Sequence, residues 1–110
     1  SVFSDSLDNM KSLIEEHDII INTTSVGMEP ESGVSPVKKE ELIAGKTIMD
    51  IVYKQKETKL IQDAKEAGSE VITGERMLLH QAVGQYTLWT DKMADITLME
   101  QSLNDAIKRG

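Results

Sequence analysis

A chain of 110 residues suits one domain with room for one site, removing roughly 65% of its unfolded surface from water on folding. Its net charge of −7 and twelve dispersed basic residues argue against nucleic acid, because phosphate neutralisation needs clustered Lys and Arg. Without cysteine there is neither a disulfide framework nor a thiolate ligand or nucleophile, and no apolar stretch approaches the roughly 20 residues of a membrane span. The first residues carry Asp5 and Asp8 where a secretory leader has a basic region, and the chain begins on Ser. The expectation is a cytoplasmic protein, and a processed or excised piece of one.

Phe3, Leu7, Met10 and Ile14 recur at helical spacing among Asp, Lys and Glu, and Ser4 or Ser6 can cap the start, which predicts an amphipathic helix over residues 4–16. Residues 18–28 then read Asp-Ile-Ile-Ile-Asn-Thr-Thr-Ser-Val-Gly-Met, an apolar β-branched run that breaks into small polar residues. Three consecutive Ile without polar alternation predict a strand over residues 18–23 covered on both faces, the usual state in a parallel sheet. The loop leaving its carboxyl end carries Thr24, Ser25 and Gly27 to where open α/β sheets bind ligands. Pro30, Gly33 and Pro36 mark a loop, either functional or a solvated connection.

Residues 37–43 suit a short helix closed by Gly45. Residues 46–53 gather Ile48, Met49, Ile51 and Val52 around Asp50 and predict a second buried strand. A carboxylate in such a strand needs hydrogen bonds, so Asp50 belongs at the carboxyl end, where it either braces the neighbouring loops or serves catalysis. Thr58 as N-cap, an apolar stripe of Leu60, Ile61, Ala64 and Ala67, and Gly68 as a left-handed terminal residue delimit the next helix. Residues 70–73 give a short third strand, and Gly74 opens a helix running to about Thr90. Alternating strands and helices predict an α/β fold with right-handed crossovers and a parallel sheet, its strands in sequence order. Asp95, or a capping box of Thr97 and Glu100, starts a last helix whose apolar face is Leu98, Met99, Leu103, Ala106 and Ile107.

On the helix from Gly74, Met77, Gln81 and Gln85 are four apart and share a face. Gln81 is either a partner for a hydroxylated ligand or an exposed amide, and Gly84 either admits another backbone or is merely tolerated. His17 and His80 have no Ser, Cys or metal ligand at recognisable spacing and read as structural or surface residues. No metal site is expected, and the methionines other than Met77 read as core filler.

Taken in order, Asn22-Thr23-Thr24-Ser25-Val26-Gly27-Met28, Asp50-Ile51-Val52-Tyr53 with Thr58, Gly74-Glu75-Arg76-Met77-Leu78 with Gln81, and Trp89-Thr90 resemble the C-terminal part of shikimate dehydrogenases. Each motif is weak alone, but four in register over residues 18–99 are specific. The resemblance implies a three-layer, partial Rossmann-like fold, with a three-stranded parallel sheet and flanking helices. Residues 1–110 would be the second half of an NADP-binding domain in an enzyme that reduces 3-dehydroshikimate to shikimate, on the route to chorismate and aromatic amino acids. It further implies that Thr24 and Ser25 line the nicotinamide-ribose side of the cofactor crevice, that the Ile51 backbone contacts the nicotinamide, and that Gly74 and Met77 touch the cofactor at that end. Tyr53 and Gln81 would bind the hydroxylated substrate, with Asp50 and Thr58 supporting the loop. The family's catalytic Lys and Asp lie in an N-terminal substrate domain, and its glycine-rich phosphate turn and 2′-phosphate-reading Arg lie in the first half of the nucleotide domain. None of these is among the 110 residues, so the chain alone is expected to be inactive, with the N-terminal substrate domain of the same parent chain as its partner and self-association as a further expectation. The match departs at Glu75-Arg76, where relatives often carry smaller residues such as Leu-Gly. A quinate/shikimate dehydrogenase and a non-catalytic α/β binding or oligomerisation module are the alternatives.

Overall fold

The computed structural model describes residues 5–28, 30, 33–55 and 57–109, so Phe3 and Ser4 of the first predicted helix lie outside the described residues. Ser6 accepts a hydrogen bond from the Asp8 amide and starts a single 3-10 turn, Leu7–Asn9, which continues into α1, Met10–Glu16. His17 is extended and turns the chain into β1, Ile19–Asn22. β2 is Thr47–Asp50, α2 Lys59–Ala67, β3 Glu70–Ile72, α3 Gly74–Thr90 and α4 Ile96–Arg109. All three strands are parallel in the order β1-β2-β3, with Ile20 opposite Ile48, Ile48 opposite Val71, and Asn22 opposite Asp50. The expected parallel sheet with flanking helices is therefore present.

Helix boundaries follow local chemistry. Thr58 Oγ1 accepts from the Ile61 amide at 3.3 Å, and Gly68, at φ 88°, closes α2 in the left-handed region that a side chain would strain. Of the two starts proposed for α4, Asp95 is the one used, since its Oδ1 accepts from the Leu98 amide at 3.0 Å. Glu100, the other half of the alternative capping box, instead takes Arg76 Nη1 at 2.6 Å and ties α4 to α3. The helix expected over residues 37–43 is only a 3-10 turn, Lys39–Glu41. Leu42 leaves it in extended conformation and is buried, so core packing outweighs one more turn of helix.

The core lies on one side of the sheet. Ile20, Ile48 and Val71, aligned across the three strands, meet Ile14 of α1, Leu60 and Ala64 of α2, and Val37 and Leu42 from the connection. Ile19 and Ile21, on the other face, are 63% and 52% exposed. This corrects the expectation that β1 is covered on both faces. Three Ile in a row give no alternation to mark which face is buried, and α1 and α2 pack on the face of Ile20 alone. α3 and α4 pack on each other, leaving Leu88, Trp89, Met93 and Leu98 exposed. The radius of gyration, 15.8 Å, accordingly exceeds the ~13 Å of a compact domain of this length.

Candidate functional site

β1 and β2 run in the same direction and end side by side at Asn22 and Asp50. The chain leaves both ends on the same edge of the sheet, and the two loops part to enclose a cleft of about 330 Å³. Thr23, Thr24, Ser25 and Met28 form one lip; Ile51, Val52, Tyr53 and Lys54 form the other. Hydroxyls thus face a largely apolar wall, with one ammonium at the margin. The first lip turns tightly: the Met28 amide donates to Ser25 O at 3.1 Å, and Gly27 takes φ 99° between them.

Beneath the cleft is a buried polar network. Asp50, 1% exposed, accepts from the Val52 amide at 3.1 Å and from Asn22 Nδ2 at 3.2 Å on one oxygen, and from Thr58 Oγ1 at 2.7 Å on the other. Its lone pairs face these donors and it does not line the cleft, so of its two proposed roles the geometry matches the brace. Thr58 serves twice, donating to Asp50 while its oxygen caps α2. Asn22 Oδ1 accepts from the Thr24 amide at 3.0 Å and from Thr24 Oγ1 at 2.7 Å.

α3 enters from below the second lip. A Cβ on Gly74 would stand 2.4 Å from Val52 O and 2.6 Å from Ile51 O, so glycine is required by space where the helix start meets the strand end. Thr73 Oγ1 donates to Glu75 Oε1 at 2.7 Å, while Oε2 of this buried carboxylate has no partner among the described residues. Arg76, at the departure from the resembled pattern, turns towards Glu100 and lies 3.3 Å from His80 Nε2. His80 therefore keeps the structural place assigned to it.

The structure brings Thr24, Ser25, Ile51 and Tyr53 together around one cleft and sets Gly74 against the backbone of Ile51. Met77, half-buried, and Gln81, exposed, lie further along α3 and outside the cleft wall. Asn22, Lys54 and Gln55, the last also in the cleft wall, escaped the sequence reading as functional positions. Asn22 had a signal, because Asn followed two residues later by a backbone donor is the pattern of an Asx turn. Lys54 had none. The displaced ionisations lie elsewhere: Lys39 is raised and Glu66 lowered by their mutual hydrogen bond on the surface, and Asp5 is lowered by the hydrogen bond from the Asn9 side chain. Among the described residues no cluster of three His, Cys, Asp or Glu is placed to hold a metal, and no helix is long and apolar enough to cross a membrane.

Residues 74–103 match the family described as the Shikimate 5'-dehydrogenase C-terminal domain. Over 102 residues the chain is 38% identical to the NADP(+) shikimate dehydrogenase of Methanosarcina acetivorans, covering 93% of this chain and 36% of that protein. The shikimate 5-dehydrogenase of Thermus thermophilus, solved with NADP(H) and shikimate, superposes with a TM-score of 0.79 at 29% identity over 93% of this chain and 37% of that one. The quinate dehydrogenase of Corynebacterium glutamicum, solved with NAD, gives 0.82 at 28% over 90% and 35%. The chain thus spans little more than a third of the length of the relatives it matches.

Proposed function

This chain is a relative, in sequence and fold, of the carboxyl-terminal part of shikimate dehydrogenases, and we propose that it forms the second half of an NADP-binding domain in such an enzyme. The reaction is reduction of 3-dehydroshikimate to shikimate in the cytoplasm, on the route to chorismate and aromatic amino acids. The observation that carries the reading is the cleft between the ends of β1 and β2, placed where parallel sheets bind cofactors. NADP fits these residues: Ile51, Val52 and Met28 offer an apolar wall to a planar ring, and Ser25 offers a hydroxyl to its ribose beside Thr24, whose own hydroxyl donates to Asn22 and accepts from the Val26 amide. Gly74, where a Cβ would strike the Ile51 and Val52 carbonyls, lets α3 approach close behind that wall.

When bound, the cofactor supplies or accepts the hydride. The chain's own residues orient it, because transfer requires donor and acceptor carbons held in near-attack geometry. Tyr53, partly exposed at the lip, and Gln81, exposed on α3, hold the substrate hydroxyls, while Met77 supports the cofactor from α3. The acid/base groups and the phosphate cradle come from an N-terminal substrate domain and the first half of the nucleotide domain. The exposed Ile19, Ile21 and Trp89 are the surfaces such parts would cover. The superposition on a quinate dehydrogenase keeps quinate as a second substrate.

The test is a chimera in which this chain replaces the matched part of the Thermus thermophilus enzyme, assayed with NADP and either shikimate or quinate. NADP-linked oxidation of shikimate exceeding that of quinate is expected, with no turnover by the 110-residue chain alone. A chimera with native circular dichroism that oxidises neither compound refutes the reading, and preference for quinate replaces the substrate.

A further inference from the structure

Asn22 is the last residue of β1, 6% exposed, and outside the cleft wall. Both ends of its amide are engaged. Oδ1 accepts from the Thr24 amide and hydroxyl at 3.0 and 2.7 Å, and Nδ2 donates to Val26 O at 3.3 Å and to Asp50 Oδ1 at 3.2 Å. Asp50 Oδ1 also accepts from the Val52 amide. One side chain therefore grips the first lip at Thr24 and Val26 and, through Asp50, the second lip at Val52. We propose that Asn22 is a positioning residue that fixes the two lips of the cleft relative to one another, acting through Asp50.

The requirement is for a neutral group that accepts on one side and donates to a carboxylate on the other. A carboxylate of the same shape at position 22 keeps the bonds from Thr24 but loses the donor to Val26 O at any pH and presents a lone pair to Asp50. The pair can then be satisfied only by holding a proton between them. Asp50 is the one carboxylate of the network among the described residues. Thr24 and Thr58 are neutral, and Lys59 on the neighbouring α2 is paired with Asp63 at 3.0 Å. In N22D the lips keep their native relation while the shared proton is held, and separate when it is lost.

The experiment uses the 110-residue chain, following the backbone amide resonances of Thr24, Val26 and Val52 against pH, with binding of nicotinamide mononucleotide measured in parallel. The wild-type amides, measured at each pH, are the reference. The Thr24 and Val52 amides of N22D should lie near wild type at the acid end and depart together as pH rises, with that of Val26, whose carbonyl has lost its donor, displaced throughout, and with affinity falling by roughly tenfold or more over the same range. The pair N22D/D50N, carrying one carboxylate, should lose that pH dependence without regaining native shifts, because Asp50 Oδ1 accepts from both Asn22 and the Val52 amide and no single atom of an amide at position 50 can serve both the position 22 carboxylate and Val52. If N22D unfolds at the alkaline end, the pH range in which it stays folded decides: Thr24 and Val52 amides that move together there support the proposal, and amides that move independently overturn it. It is also overturned if the Thr24 and Val52 amides of N22D move independently or not at all. The affinity arm rests on the proposed function: a wild-type chain that does not bind the mononucleotide, with amides behaving as stated, counts against that function and leaves the positioning role supported.

Discussion

Two glycines of α3, ten residues apart, should respond oppositely to the same substitution. In Gly74→Ala the new methyl carbon falls 2.4 Å from Val52 O, 2.6 Å from Ile51 O and 2.7 Å from Ile51 C. Carbon–oxygen contacts settle near roughly 3.3–3.6 Å, so the helix start and the strand end must part by about 1 Å. Every atom struck belongs to the backbone, and no rotamer can relieve it. Overpacking of this kind costs about 1–3 kcal/mol, against a helix-propensity gain of at most about 1 kcal/mol for Ala over Gly. The clash therefore wins, and the melting temperature should fall by several degrees, since ~1 kcal/mol is worth about 4–8 °C in a domain near this size. Gly84 has nothing within 4 Å of its hypothetical Cβ among the described residues, which answers whether another backbone approaches there. Gly84→Ala should keep only the propensity term and stabilise by about 0.5–1 kcal/mol. Matched thermal melts followed by circular dichroism make the comparison, and Ile51 and Val52 amide shifts should move in the first variant alone. Two variants shifting the melting temperature in the same direction would refute the reasoning.

Thr58→Val preserves shape but removes both the donor to Asp50 and the cap of α2, so it should cost about 2–4 kcal/mol in urea denaturation. Thr58→Ser should stay within about 1 kcal/mol of wild type, and equal losses would show that the hydroxyl is not the cause. In the active chimera, Gln81→Ala should weaken the response to shikimate by roughly tenfold to a hundredfold and leave that to NADP unchanged, as steady-state kinetics will show. A defect confined to NADP would return Gln81 to an exposed amide. The far edge of β1, beside exposed Ile19 and Ile21, should drive concentration-dependent self-association of the isolated chain in sedimentation. A monomer at high concentration with rapid amide exchange along residues 19–22 would exclude it.

Local chemistry made much of the fold readable. Thr58 and Gly68 bound α2 because capping and left-handed backbone depend on a residue and its immediate neighbours. Gly74 and Thr90 bound α3, and the strand order followed from short alternating elements that parallel crossovers connect in only a few ways. The placing of Asp50 at a strand end was likewise forced, since a buried carboxylate must find donors.

What depended on distance in space was not readable in this way. Three successive Ile are equally apolar on either face, and only the packing of α1 and α2 determined that Ile20 is inside while Ile19 and Ile21 are out. Asn22 and Asp50 are 28 residues apart and became partners through strand register. The cleft itself took Lys54 from a loop with no pattern and left Gln81 outside its wall, because its shape is set by two loops diverging from adjacent strand ends. The sequence by itself determined the strands, the longer helices and the caps of α2, and put Thr24, Ser25 and Ile51 just beyond strand ends. The tertiary structure alone decided which face is buried, which polar groups meet and where the cleft opens, since each depends on contacts between segments that are remote along the chain.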